Sequence, residues 1–217
     1  MTTTETFIYN IWDWGFMGNK DVNRRDFIRL AGCGAIGLSI PSYVFSQEKP
    51  KTNIKTKEFV ENARKHLGTS YYWGGRLTEK HPGLDCLGLL FVAHSETFGS
   101  NWYDFSVNPS EIVEKNQLGK PVKGLDGVLS KDLEFFKLKE GDIIYLLSKS
   151  KINDDPLVNI QGKNYWPWHT GMYSNKEKNL FLEASPFLRK VTESNFKKLL
   201  EDYPRLNQAV FVTRIDY

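Results

Sequence analysis

The sequence predicts an α+β fold in which N-terminal helices pack on a central antiparallel β-sheet. Three observations predict it. Apolar residues recur at helical spacing between residues 56 and 98, and short β-rich runs dominate from Ile143 onward. The length of 217 residues also supports one sizeable core rather than two.

Phe59, Val60, Ala63 and Leu67, with Gly68 as a stop, predict a first helix from about Thr56. Thr69 to Asp85 is rich in Gly, Pro and aromatics and reads as loop. Leu87 to Phe98 places Leu87, Leu90, Phe91, His94 and Phe98 along one side and stops at Gly99, which reads as a buried helix. A polar stretch punctuated by Gly and Pro runs to about Glu140, with a short helix starting at Pro109-Ser110. After Gly141-Asp142, the run Ile143-Ile144-Tyr145-Leu146-Leu147 reads as a strand. Trp168 to Ser174 and Leu180 to Ala184 read as two more, joined by a turn at Asn175-Lys176-Glu177-Lys178. Phe196, Leu199 and Leu200 mark a late helix capped near Thr192 or Ser194, and Ala209-Val210-Phe211-Val212 reads as a last strand.

Upstream of the first helix the chain reads as a targeting segment. Arg24-Arg25 precedes an uncharged, Gly-rich, weakly apolar run from Leu30 to Gln47, with small residues at Val44 and Ser46 for cleavage. The pattern Arg24-Arg25-Asp26-Phe27-Ile28 resembles a twin-arginine export signal, an address read by a receptor. A membrane anchor is the alternative, but the run is at the lower limit of spanning length and holds several Gly and Pro41. Leu30-Ala31-Gly32-Cys33 also matches a lipoprotein box, though almost no apolar run precedes Cys33. Met17-Gly18-Asn19-Lys20 looks like a signal's polar start, which makes Met17 a candidate initiator. The expected organisation is an extension and export signal over 1–46, a Lys- and Thr-rich linker over 47–55, and one folded domain over 56–217. The expected location is the periplasm or cell envelope, with the twin-arginine machinery as export partner and no stable membrane span after cleavage.

A net charge of +3 with scattered basic residues gives no stripe for a nucleic acid. Of the two cysteines, Cys33 falls in the segment expected to be removed, so the mature chain keeps one thiol, Cys86. A lone Cys of this kind is either a small buried hydrophobe or a nucleophile. Cys86 opens a predicted helix, where unpaired backbone N–H groups favour a thiolate. Its base must come from elsewhere in the fold. His66 and His81 look solvated, and His94 sits about two turns along the same helix, too far for a hydrogen bond. Only His169, on a distant strand, can be folded against Cys86; alone, it would read as a satisfied core histidine. With one Cys and no close His pair, a zinc site is disfavoured and no cofactor is expected.

Leu67-Gly68-Thr69-Ser70-Tyr71-Tyr72-Trp73-Gly74-Gly75 and Leu84-Asp85-Cys86-Leu87-Gly88-Leu89 resemble the nucleophile region of NlpC-type peptidases, papain-like cysteine enzymes of the bacterial cell wall. Leu138 to Tyr145 followed by His169-Thr170-Gly171-Met172-Tyr173 looks like that family's base-bearing strands, and Leu182-Glu183-Ala184-Ser185 falls where it keeps an orienting residue. The resemblance implies a papain-like NlpC-type fold, with Cys86 as nucleophile, His169 as base, Glu183 as orienter and Tyr71 as a hydroxyl donor near the oxyanion. It implies substrate contacts at Asp85, Trp73 and Trp168. Tyr71 reads equally as an aromatic packed under the glycine turn, Glu183 as an exposed strand residue, and Tyr165-Trp166-Pro167-Trp168 as a core cluster. The sequence departs from the family at Leu87, where a small hydroxyl residue is usual, and at Glu183, where His, Asn or Gln is usual. Extra residues between Cys86 and His169 are expected over 99–137 and 148–165. The implied substrate is the peptide stem of peptidoglycan, cut at the γ-D-glutamyl bond to the diamino acid. An amidase or acyltransferase on another substrate, or a non-catalytic envelope-binding protein, are the alternatives. Replacing Cys86 or His169 is expected to abolish turnover at little cost in stability.

Overall fold

The computed structural model describes residues 52–151 and 155–216; the expected signal with Arg24, Arg25 and Cys33, the candidate start Met17 and most of the linker lie outside them. The described chain is the α+β fold that the sequence predicts. Helices α1 (Thr52–Arg64) and α2 (Cys86–Phe98) come first, and a short α3 (Pro109–Glu114) follows. Strands then run as β1 (Lys120–Leu129), β2 (Ile143–Ser148), β3 (Val158–Ile160), β4 (Lys163–Asn175), β5 (Leu180–Ser185) and β6 (Lys190–Asn195). A last helix, α4 (Phe196–Asp202), precedes β7 (Ala209–Arg214). The antiparallel sheet has the order β1-β7-β2-β4-β5-β6, with β3 paired to β4.

Every residue of β2 is buried, as its unbroken apolar run requires of a strand covered on both faces. On one face Ile143, Tyr145 and Leu147 join Met172 of β4 and Leu89, Leu90 and Phe59 of the helices. On the other, Ile144 and Leu146 join Phe181, Val212 and Phe196 of α4. Among the described residues no helix is long and apolar enough to cross a membrane.

Several elements differ from expectation for physical reasons. Helix α1 begins at Thr52 and ends at Arg64, so Leu67 stands exposed in the following turn. Strands β1, β3 and β6 were not expected, since β1 carries Lys, Pro and Gly and β6 is mostly polar. Both flank the sheet, where one ladder suffices and Pro121 is tolerated. The cap of α4 is Asn195, whose side chain accepts from Lys198 N, rather than Thr192 or Ser194, which lie in β6.

Two irregularities shape the centre of the sheet. Leu146 pairs with His169 and Leu147 with Pro167, so Trp168 is the extra residue of a β-bulge just before His169. Bulges of this kind re-aim the neighbouring side chain. The β4–β5 ladder runs from Asn175↔Leu180 to Met172↔Leu182. His169 and Glu183 lie just past its end, where side chains rather than backbone bridge the two strands.

Candidate active site

Cys86 is the first residue of α2, half-buried, with Asp85 as the helix cap. The Asp85 backbone is extended, and its Oδ1 accepts from Gly88 N at 2.6 Å while Oδ2 accepts from Gly74 N at 2.9 Å. Arg76 Nη1 donates to Asp85 Oδ1 at 2.7 Å and to Gly75 O at 2.6 Å, and its guanidinium lies 5.1 Å from the Phe91 ring centroid. One carboxylate therefore ties the glycine loop, a buried arginine and the first turn of α2 together. Both its oxygens are engaged within the chain, so Asp85 acts on the site through the backbone that it holds. The approach is close: a Cβ at Gly88 would stand 2.1 Å from Gly75 O, so only glycine fits.

His169 arrives from β4, buried at 4% exposure. Its Nε2 lies 2.5 Å from Glu183 Oε2, and Glu183 on β5 is itself 3% exposed. Glu183 is thus a buried partner of the imidazole, not an exposed strand residue. With Nε2 taken by the carboxylate, Nδ1 is the nitrogen left for Cys86. Burial pulls the imidazole toward its neutral form. Hydrogen bonding to Cys86 and Glu183, and the charge of both, override it and raise the His169 pKa from 6.5 to about 10. The arrangement holds an imidazolium beside a thiol at a helix N-terminus, the pairing required for a thiolate nucleophile and a proton donor to the leaving group.

Trp168 stacks on the imidazole at 5.1 Å between centroids and 29° between planes, and the Phe187 ring lies 6.0 Å from that of Trp168. The aromatic run divides: Tyr165 and Trp166 are core, whereas Trp168 lies against the His169 imidazole. Tyr71 is half-buried and packs against the same cluster as Cys86; its backbone N–H donates to Arg189 O at 2.9 Å. Burial raises its phenol pKa, and the nearby charges of Cys86 and Asp85 add to the rise, so the group stays a hydroxyl donor. Trp73 stands 58% exposed on the loop that Asp85 anchors. Leu87 is 8% exposed and packs into the core, which accounts for an apolar residue after Cys86.

The other histidines are occupied elsewhere. His66 is half-buried and its Nε2 lies 3.1 Å from Glu96 Oε1; His81 is half-buried against Trp102, so neither is simply solvated. His94 Nδ1 lies 2.7 Å from Ser100 Oγ, and burial lowers its pKa to about 4. Sequence reasoning missed two residues around Cys86. Arg76 carried a signal, as a charge directly after Gly74-Gly75 with an Asp nine positions on. Tyr145, fully buried on β2, has its phenol pushed up by burial, with the charge of Cys86 adding to the rise. Its signal was a hydroxyl inside an otherwise apolar strand. Among the described residues no group of three or more His, Cys, Asp or Glu is placed to hold a metal ion.

No protein-family model matches the sequence, and no curated protein does. Solved structures do. An N-acetylmuramoyl-L-alanine amidase from Bacteroides uniformis aligns at a TM-score of 0.55 and 14% identity, over 76% of this chain and 100% of its own. The peptidoglycan hydrolase RipB from Mycobacterium tuberculosis aligns at 0.48 and 20% identity, over 84% of this chain and 75% of its own. The P60 domain of an antigen from M. avium subspecies paratuberculosis aligns at 0.47 and 19% identity, over 76% and 98%. The alignment along the whole amidase chain shows a shared fold.

Proposed function

We propose that this chain is a cysteine hydrolase that cleaves amide bonds in the peptide stems of peptidoglycan. The observation that carries the reading is the buried His169, fixed at Nε2 by Glu183 and interacting with a thiol at the first residue of α2. The Cys86 thiolate attacks the scissile carbonyl carbon, and the carbonyl oxygen takes the negative charge. Backbone N–H groups at the start of α2 and the Tyr71 hydroxyl stabilise that charge, a contribution of roughly 3 kcal/mol for each well-placed donor. His169 gives its proton to the leaving amine, and a thioester remains on Cys86. Water, deprotonated by His169, attacks the thioester, releases the acyl group as a carboxylic acid and restores the Cys86 thiolate beside the His169 imidazolium. Trp73 and Trp168 are the aromatic surfaces offered to substrate. Asp85 holds the nucleophile rather than the ligand.

The substrate class rests on the motif resemblance and on a fold shared with a cell-wall amidase. Within it we favour the γ-D-glutamyl bond to the diamino acid. The whole-length likeness to that amidase makes the N-acetylmuramoyl-L-alanine bond the second reading. Digestion of purified muropeptides followed by mass spectrometry separates them. A free diamino-acid-containing fragment supports the first bond, free glycan with intact stems the second, and no cleavage of either removes the proposal. A non-catalytic binding protein is tested by thiol reactivity. Iodoacetamide is expected to label native Cys86 at about pH 6 well above the rate of a model thiol, and labelling no faster than the model thiol would contradict the ion pair.

We further propose that residues 1–46 direct export through the twin-arginine route, on the strength of Arg24-Arg25 and the weak apolar run behind them. A mature N-terminus near Gln47, and accumulation of precursor when both arginines become Lys, are expected. N-terminal sequencing that finds a lipid-modified Cys33 would replace this with lipid anchoring.

A further inference from the structure

At the end of the sheet where β1 and β2 finish and β4 and β7 begin, a cleft of about 670 Å³ opens. None of Cys86, His169, Glu183, Tyr71 or Trp168 lines it. Its volume lies within the usual range for a small-molecule site. Leu129, Leu133, Phe135, Tyr165, Leu200 and Pro204 supply apolar wall, while Lys131, Lys149, Lys163 and Lys197 come to it from four different segments. The only carboxylate in the lining is Glu201, 4.0 Å from Lys197.

Several cations outside the cleft are met by carboxylates, as in Lys55–Glu58, Arg64–Glu193, Lys115–Glu111 and Arg214–Asp142. Among the described residues Lys131, Lys149 and Lys163 have no ion-pair partner, and Lys149 rests over the Tyr165 ring at 5.7 Å. Like charges gathered in a concave, partly apolar wall repel one another and focus a positive field into the cleft.

The walls are also fixed. Ser130 N donates to Gln208 O at 3.0 Å, Gln208 N to Leu147 O at 2.9 Å, and Lys149 N to Gln208 Oε1 at 2.8 Å. Asn207, 2% exposed and part of the lining, donates through Nδ2 to Leu199 O at 2.9 Å and leaves its Oδ1 without a partner. A cleft built in advance costs little ordering when it is filled.

We infer that this cleft binds an amphiphilic phosphate: a phosphate ester whose charge sits among the lysines and whose apolar portion lies on the leucine, phenylalanine and proline wall. Lysine ammoniums act as point charges suited to a multiply charged phosphate, whereas a planar carboxylate is better matched by the arginine fork, which the lining lacks. The ester can be a soluble metabolite or a lipid headgroup at a bilayer surface, and the same chemistry recognises both.

Calorimetric titration of the full chain with hexyl phosphate, inorganic phosphate and 1-hexanol tests this. Hexyl phosphate is expected to bind at least about tenfold more tightly than either of the others, and to weaken as salt is raised. The double variant Lys131→Glu, Lys163→Glu is expected to weaken hexyl phosphate by about tenfold or more. Both residues are exposed, so its melting temperature and its cleavage of muropeptides should match the parent. Sedimentation with phosphatidylglycerol and with phosphatidylcholine vesicles identifies the source. Binding to the anionic vesicles that the double variant loses assigns the lipid headgroup, and hexyl phosphate binding without vesicle binding assigns a soluble ester. Hexyl phosphate binding no tighter than hexanol or inorganic phosphate, or unchanged in the double variant, overturns the inference.

Discussion

At the His169 imidazole, burial favours the neutral ring and the Glu183 carboxylate favours the charged one, and the carboxylate with Cys86 prevails. The charge state of the site therefore depends on Glu183. Replacing it with Gln keeps a hydrogen-bond partner but removes the charge, so the His169 pKa should fall from about 10 toward 6.5. The alkaline limb of the pH–rate profile is then expected to move down by more than one unit, with kcat reduced by roughly 10- to 100-fold. Glu183→Ala should cost more, and an unmoved alkaline limb in both variants would remove Glu183 from the machinery. Stability follows the same linkage. A histidine whose pKa is raised by folding lends stability in full below about pH 6.5 and loses it as the pH rises toward 10. The urea midpoint is therefore expected to fall across that window, and to fall less in Glu183→Gln. The two halves of the pair also differ in what their removal costs. Cys86→Ala should abolish turnover with little change in melting temperature. His169→Ala, expected from sequence to be equally mild, strands a carboxylate that is 3% exposed, and breaking such a buried pair costs about 3–5 kcal/mol. That Cys86 and His169 meet was legible because, outside the segment expected to be removed, the sequence offers one thiol and one histidine that folding can bring to it. The depth of Glu183 was not, since a strand glutamate in sequence looks the same on an edge as beneath an imidazole.

Helix α2 shows how an element carries a chemical task. Its N-terminus is held by the Asp85 cap, and that cap is also the anchor of the Gly74 loop and the partner of Arg76. Asp85→Ala should remove about 1 kcal/mol of capping and leave a buried guanidinium without its carboxylate, so the total loss should exceed that of an ordinary cap. Asp85→Asn, which can still accept at the cap, should recover part of the stability. Melting curves of the two variants, alongside kcat, check this: equal Tm values for Ala, Asn and wild type would deny Asp85 its structural role. The helix itself was readable from an apolar run ended by Gly99, which caps it in the left-handed conformation at φ 72°. β1 was not readable in the same way. Its pairing is interrupted on either side of Asp126, and its composition is that of a loop, so only the neighbouring β7 makes it a strand. Register supplied by a partner distant in sequence leaves no local periodicity to detect.

Across the whole molecule, the decisive feature is that β7 lies between β1 and β2. The last strand of the chain completes the ladders of two strands that precede it by many residues, including the fully buried β2. A chain truncated before Ala209 is therefore expected to lose cooperative unfolding altogether, rather than to melt at a slightly lower temperature. Urea titration followed by circular dichroism checks this, and a sharp two-state transition in the truncated chain would contradict it. Such long-range pairings must be closed before they stabilise anything, which places refolding on the millisecond-to-second scale of sheet-dominated domains.

The gap beyond Met172 and Leu182 has its own consequence. No backbone ladder between β4 and β5 holds His169 against Glu183, and Cys86 is delivered by a helix packed from another part of the chain. The three groups meet only while the helix and both strands are docked, so the proposed catalysis would be a sensor of tertiary order. In a denaturant series, turnover should vanish in step with near-ultraviolet dichroism. A form that keeps its secondary structure but has lost side-chain packing should be chemically silent, with its thiol reacting like that of a free peptide.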